Sequence, residues 1–287
     1  MDLVLNACDR YILTPYVYPT SWAENSILRQ FISLYLIVAV GGWLLYFSMA
    51  AMSYIFLFDK RYQKHPNYLS NQVSLEIMYA TKSIPFMAVF TVPIFVLEVR
   101  GYGRLYVDID NPSANFFGIR NWGFIILSIC SFLMFTDCLI YWIHRWLHHR
   151  LVYKYIHKPH HRWKVPTPFA SHAFHPIDGF LQSLPYHIYP FIFPLHKVAY
   201  LVLFVFVNVW TVSIHDGDYR VPDVLKPFIN GSAHHTDHHV FYKYNYGQFF
   251  TLWDRIGRSF RVPSAFDGKS LLKEIDTLSS DEKPKML

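Results

Sequence analysis

Ten of the sixteen histidines in this 287-residue chain lie in two short patches. HRWLHHRLVYKYIHKPHH, residues 144–161, holds six of them, and HHTDHH, residues 234–239, holds four. Their spacing is patterned. His144 and His148 are four apart and share a face on a helix. His157, His160 and His161 follow an i, i+3, i+4 rule, and His235, His238 and His239 repeat it. Neutral imidazole is a good ligand for iron, zinc and copper. Eight such rings are too many for one six-coordinate ion and suit two ions close together. Left without partners, so many buried rings would cost several kcal/mol. We therefore expect these eight histidines to bind metal and to carry the catalysis.

The remaining histidines are weaker candidates. His149 and His234 each sit beside a patterned ligand and can point elsewhere. His215 closes the last apolar segment within IHDGDY and is the best additional ligand. His172 and His175, in SHAFHP, come next, as substrate-channel residues or partners of the ligands. His65 is expected in a solvated loop, and His196 at a turn remote from the clusters. Asp137 lies seven residues before His144 on the same helical face. It either holds a ligand imidazole or bonds to a neighbouring element. Asp216 and Asp237 are similar candidates on weaker grounds.

The chemistry narrows by elimination. No His-Glu-x-x-His occurs, and a zinc peptidase would need its glutamate base. Haem would use only one or two of these ligands. Two non-haem irons fit better, because iron can take O2 and electrons and attack unactivated C–H bonds, whereas zinc is redox-inert. Zinc remains possible in recombinant material.

These residues must be positioned by a largely apolar chain. It is 53% hydrophobic and only 16% charged, with a net charge of +6. A bilayer core of about 30 Å needs about 20 helical residues. Residues 31–58 carry no Asp, Glu, Lys or Arg. Residues 77–97, with Pro85 and Pro93 inside, and residues 122–143, carrying only Asp137, form two further spans. Residues 180–214 read as a helical hairpin turned by Pro190, Pro194 and His196-Lys197. The expected fold is an all-α integral membrane protein with about four membrane-spanning helices plus a re-entrant or hairpin pair, and a cytosolic helical cap carrying the dimetal site. We divide the chain into a flanking segment (1–30), a membrane-embedded domain (31–265) and a cytosolic, loosely ordered tail (266–287). The first span is expected to be an uncleaved anchor rather than a signal peptide. Cys8, Cys130 and Cys138 have no paired spacing and suggest neither disulfides nor a thiolate site.

Counting crossings places residues 59–76 and everything from 144 onward, hairpin turn excepted, on one side. That side carries Lys60, Arg61, Lys64, Arg145, Arg150, Lys154, Lys158, Arg162 and Lys164. The bias puts both histidine clusters in the cytosol and makes nucleic acid a poor partner. Arg145, Arg150, Lys154, Lys158 and Lys164 could attract an acidic electron donor or simply set orientation and touch anionic lipid. Asn230-Gly231-Ser232 matches the glycosylation pattern and, in the cytosol, should stay unmodified.

HRWLHH, HKPHH and HHTDHH resemble the three histidine boxes of the fatty acid hydroxylase/sterol desaturase superfamily. Residues 167–197 and 214–239 are similar to the sterol C-5 desaturases, and the resemblance covers roughly residues 30–265. It implies a di-iron enzyme of the endoplasmic reticulum membrane. Such an enzyme introduces the 5,6 double bond of a Δ7-sterol during sterol biosynthesis, as in the conversion of lathosterol to 7-dehydrocholesterol. Its electrons come from NADH through cytochrome b5 and its reductase, and O2 is consumed. The alternative on the same scaffold is a sterol or fatty-acyl hydroxylase of the C-4 methyl oxidase type. Related hydroxylases carry a further H-x3-H pair where this chain has Thr211 and His215. Water, His175 or His234 could supply the ligand that Thr211 lacks.

Overall fold

The computed structural model describes residues 1–281. Three long apolar helices form its frame: α1 (Ile27–Phe56), α2 (Gln72–Val99) and α3 (Asn121–Leu147). By length and composition each is able to cross a membrane. Pro85 and Pro93 lie within α2 without ending it. Prolines are tolerated inside membrane helices where neighbours re-satisfy the freed carbonyls. Large apolar side chains such as Leu44, Ile55, Phe86 and Ile126 stay exposed on the outer faces. In a bilayer, lipid covers them.

The expected hairpin is present as α4 (Pro176–Ile192) and α5 (Lys197–Ser213). At 17 residues each, both are shorter than the three long helices. Their turn holds a two-residue strand, Leu195–His196, that pairs in parallel with Leu105–Tyr106 in the α2–α3 loop. His196 Nε2 also bonds the Val107 carbonyl at 2.7 Å. The hairpin turn is thus pinned to the end of the bundle opposite the histidines, as the crossing count requires.

The core between these helices is aromatic and branched. Leu34, Val92, Phe95, Phe132, Ile140, Tyr186, Tyr189 and Val207 are all buried in one cluster. The N-terminal segment joins it through Leu5, and Asp9 bonds Arg29 on α1 at 2.9 Å. Two further helices lie toward the histidine end: α6 (Ser232–Phe241) and α7 (Leu271–Asp281).

The helix α7 occupies part of what the sequence suggested was a loose tail. Its Leu271 and Leu272 pack on Phe58, Tyr62 and Val165, so its apolar face has a partner. Residues 282–287 lie outside the described part. His65, expected in solvent, is buried beneath α7, with Nε2 3.4 Å from Glu274. Asn230 is also buried, and its amide bonds the Gly247 carbonyl.

Candidate metal centre

The last turn of α3 delivers His144, and His148 caps the helix. A short helical turn at Arg150–Tyr153 leads into His157. The next two ligands do not continue a regular helix. Pro159 lacks an N–H, and His160–Arg162 forms a tight 3-10 turn in which His160 and His161 both bond the His157 carbonyl. The expected helical face at 157–161 is therefore a turn, which still brings all three rings inward. His215 follows the end of α5. His235, His238 and His239 project from α6.

Nine histidines converge into two groups. His144, His148, His157, His161 and His238 form one; His160, His215, His235 and His239 form the other. Within each group the candidate donor nitrogens lie within 4.8 Å of one another. The groups are interleaved. Adjacent residues His160 and His161 go to different groups, as do His238 and His239. A single folded unit therefore builds both sites or neither.

The outward ring nitrogens fix the tautomers. Nδ1 of His144 lies 2.9 Å from the Tyr246 carbonyl, and Nδ1 of His238 lies 2.7 Å from that of Tyr244. Nδ1 of His215 reaches the Thr211 carbonyl at 2.7 Å. His157 Nδ1 meets the Asp178 carboxylate at 2.7 Å, both residues wholly buried. These acceptors require an N–H on Nδ1, which leaves the lone pair of Nε2 pointing inward.

The inward nitrogens then face one another at contact distance. His144 and His157 approach at 3.1 Å between their Nε2 atoms, and both carry their proton on the far side. Further Nε2 pairs are His148–His238 at 3.2 Å, His148–His161 at 3.1 Å, His215–His235 at 3.0 Å and His235–His239 at 3.1 Å. In the His144–His157 pair the opposed lone pairs repel unless a cation lies between them. With metal–nitrogen bonds of about 2.0–2.1 Å, ligands at right angles are about 2.9 Å apart and tetrahedral ones about 3.4 Å, so the observed spacing fits coordination.

The protonation states agree. Burial, reinforced by neighbouring imidazoles, holds His160, His161, His235, His238 and His239 well below the ordinary histidine range. Burial lowers His215 to about 4. Neutral rings are the ligating form. Every donor in both groups is an imidazole, a set suited to iron, zinc or copper rather than calcium or magnesium.

Three weaker histidine candidates lie outside the groups. His149 is exposed and accepts the Leu151 N–H as a helix cap. His175 caps α4, accepting from Ile177 N–H at 3.2 Å. His234 is buried between Phe260 and Phe266, with both ring nitrogens unpartnered among the described residues. It faces away because α6 turns its neighbour His235 inward. None of these fills the position opposite Thr211; the second group is four imidazoles.

Asp137 touches no ligand ring. It accepts the backbone N–H groups of Gln248, Phe249 and Phe250 at 3.0, 2.7 and 3.3 Å. This anchors to α3 the loop whose Tyr246 carbonyl orients His144. Asp237 likewise holds Ser264 N–H at 2.9 Å and Arg261 at 3.2 Å, while Asp216 accepts from Asp218 N–H. Asp178 is the orienting carboxylate that the sequence reading passed over. Its signal was available: it is the lone acidic residue of the segment that forms α4.

An apolar-walled cavity opens beside the centre. His144, His160, His215 and His235 form part of its wall, and Val38, Leu45, Ile84, Ala88, Phe204 and Val207 form its apolar walls. Gly179 lets the wall close: a Cβ there would lie 2.1 Å from Phe174 and 2.6 Å from Met87.

Comparison with known proteins places this architecture. The fatty acid hydroxylase family model matches residues 129–259. Mouse lathosterol oxidase is 62% identical over 283 residues, covering 98% of this chain and 92% of its own length. The human lathosterol oxidase is 59% identical over 283 residues, with 99% and 93% covered. The Delta(7)-sterol 5(6)-desaturase of Candida albicans is 54% identical over 250 residues, covering 87% of this chain and 62% of its own. No solved structure matches. The chain belongs to the lathosterol oxidase family of sterol desaturases, within the fatty acid hydroxylase group.

Proposed function

We propose that this chain is a sterol C-5 desaturase that introduces the 5,6 double bond into a Δ7-sterol in sterol biosynthesis. The reading rests on one observation above all: nine imidazoles converge, and four of them, His144, His160, His215 and His235, line a cavity with apolar walls. Its relatives are named for the same reaction. His144, His148, His157, His161 and His238 would hold one iron, and His160, His215, His235 and His239 the other. When bound, the two irons supply O2 activation, with electrons from NADH through cytochrome b5 reductase and cytochrome b5.

The chain's own residues do the rest. Val38, Leu45, Ile84, Ala88 and Phe204 bury the apolar sterol and exclude water from the reacting carbons. His144, His160, His215 and His235 bring the metal face to the cavity, so the position of the sterol selects which hydrogens are lost. A rigidly held substrate loses a second hydrogen to give an alkene; a mobile one accepts oxygen to give an alcohol. The centre faces the cytosolic side of the endoplasmic reticulum membrane. The exposed cations Arg150, Lys154, Lys158 and Lys164 flank it where an acidic electron donor would dock.

Complementation tests the reading. In a cell lacking sterol C-5 desaturation, the wild type should restore 5,7-diene sterols, and His160→Ala should abolish them while the protein still accumulates. A 4-hydroxymethyl or other alcohol product in place of the diene would assign the chain to hydroxylation instead.

A further inference from the structure

Asn208 stands alone as an amide in the middle of α5, KVAYLVLFVFVNVWTVS. An amide in such a setting is costly unless it is bonded. One N–H goes to the Phe204 carbonyl at 2.7 Å, which turns Oδ1 toward His172 Nε2 at 3.2 Å. His172 Nδ1 in turn lies 3.1 Å from Ser171 Oγ, which lies 2.7 Å from the Pro168 carbonyl. The Tyr46 and Phe174 rings hold the imidazole, with centroids at 5.2 and 5.9 Å.

This chain of groups is one proton short. Its four contacts run from Pro168 through Ser171, His172 and Asn208 to Phe204. A neutral imidazole supplies one proton, Ser171 one, and Asn208 one toward Phe204. Burial favours that neutral ring. One acceptor therefore goes unmet. The second Asn208 N–H has no bond among the described residues. His172 and Asn208 both line the cavity and are only partly buried. With the imidazole proton on Nδ1, toward Ser171, they offer one acceptor and one donor, the complement of a single hydroxyl group.

The position matches as well as the chemistry. In a sterol, C3 and C5 flank the same carbon, C4. A group that holds the 3-hydroxyl must therefore sit beside the metal centre and not at the far end of the cavity. His172 shares the cavity wall with His160, His215 and His235. Of the other polar cavity groups, Gln182 is bonded to Asp178 at 2.7 Å and Gln248 to Thr211 at 3.1 Å. We propose that His172 and Asn208 bind the 3-hydroxyl of the sterol and set its register on the metal centre, an assignment that rests on the sterol desaturase reading.

Equilibrium binding to the full chain tests it, with zinc in the centre so that no turnover intervenes. The probes are cholest-7-en-3β-ol, its 3α epimer and the 3-deoxy hydrocarbon. Wild type should bind the 3β-ol roughly tenfold or more above the 3-deoxy compound, the worth of one or two buried hydrogen bonds. Asn208→Leu and His172→Phe should each lower 3β-ol binding to the 3-deoxy level and leave 3-deoxy binding unchanged. Equal wild-type affinity for the two compounds overturns the assignment even if both variants fail to fold. A folded variant that keeps the full preference overturns it too. Failure of wild type to bind any of the three probes would instead remove the functional reading, and this assignment with it.

Discussion

Asp178 supports the candidate metal centre through His157 alone. Its carboxylate accepts from His157 at 2.7 Å and from Gln182 at 2.7 Å. It thereby fixes the His157 tautomer and the ring's orientation. Asp178→Asn keeps the shape but exchanges a charged acceptor for an amide that can present N–H to His157. We expect a 10- to 100-fold loss of metal affinity, with the fold retained. Competition against a chelator, read as metal bound per chain, measures it; unchanged affinity would show that His157 is held by packing alone. At this scale the sequence was informative about ligands and silent about their partners. Eight of the nine converging histidines were legible because imidazoles four and three apart are conspicuous in an apolar chain, and His215 because it closes the last apolar segment. The carbonyls of Tyr244, Tyr246 and Thr211 carry no residue-type signal, since any residue has one.

Asp137 belongs to the scale of elements. It joins α3 to the 248–250 loop through three backbone N–H groups, across more than a hundred residues of sequence. The same loop carries Asn230's partner, Gly247, and the Tyr246 carbonyl that orients His144. Asp137→Ala leaves three backbone donors without their acceptor, and the buried one, on Phe249, costs about 1–3 kcal/mol if it stays unsatisfied. We expect a marked drop in thermal midpoint in detergent, together with partial loss of bound metal. A variant that loses metal yet melts as the wild type does would give Asp137 a direct role at the centre. The helices themselves were readable from the sequence. Three apolar runs and a proline-punctuated hairpin were placed to within a few residues, because lipid-facing length is set by bilayer thickness. Two features escaped. The turn at 157–161 departs from a helix because Pro159 interrupts it, and α7 forms because Phe58, Tyr62 and Val165 offer its leucines a surface that no local pattern reveals.

For the whole molecule the open question is orientation, and the fold supplies the means to test it. The α1–α2 connection and the histidine cap lie at one end. The α2–α3 loop and the hairpin turn lie at the other, tied by Leu105–Tyr106 pairing with Leu195–His196. Positive charge concentrates at the histidine end, which predicts that this end is cytosolic. The native Asn230-Gly231-Ser232 motif cannot report on this. Asn230 is buried and bonded to Gly247, so the absence of a glycan there would not distinguish the two sides. Lys64 and Ser113 are better reporters, being exposed at opposite ends. With Cys8, Cys130 and Cys138 replaced, Lys64→Cys should react with a membrane-impermeant maleimide in sealed microsomes. Ser113→Cys should react only after the membrane is opened. The reverse pattern would place the nine imidazoles in the lumen, beyond reach of a cytosolic electron donor. Because His160 and His161 serve different metal groups from one turn, and His238 and His239 do so from one helix, no partial inversion can rescue one site alone. The two sites share one side of the membrane, and a single pair of labelled cysteines decides which.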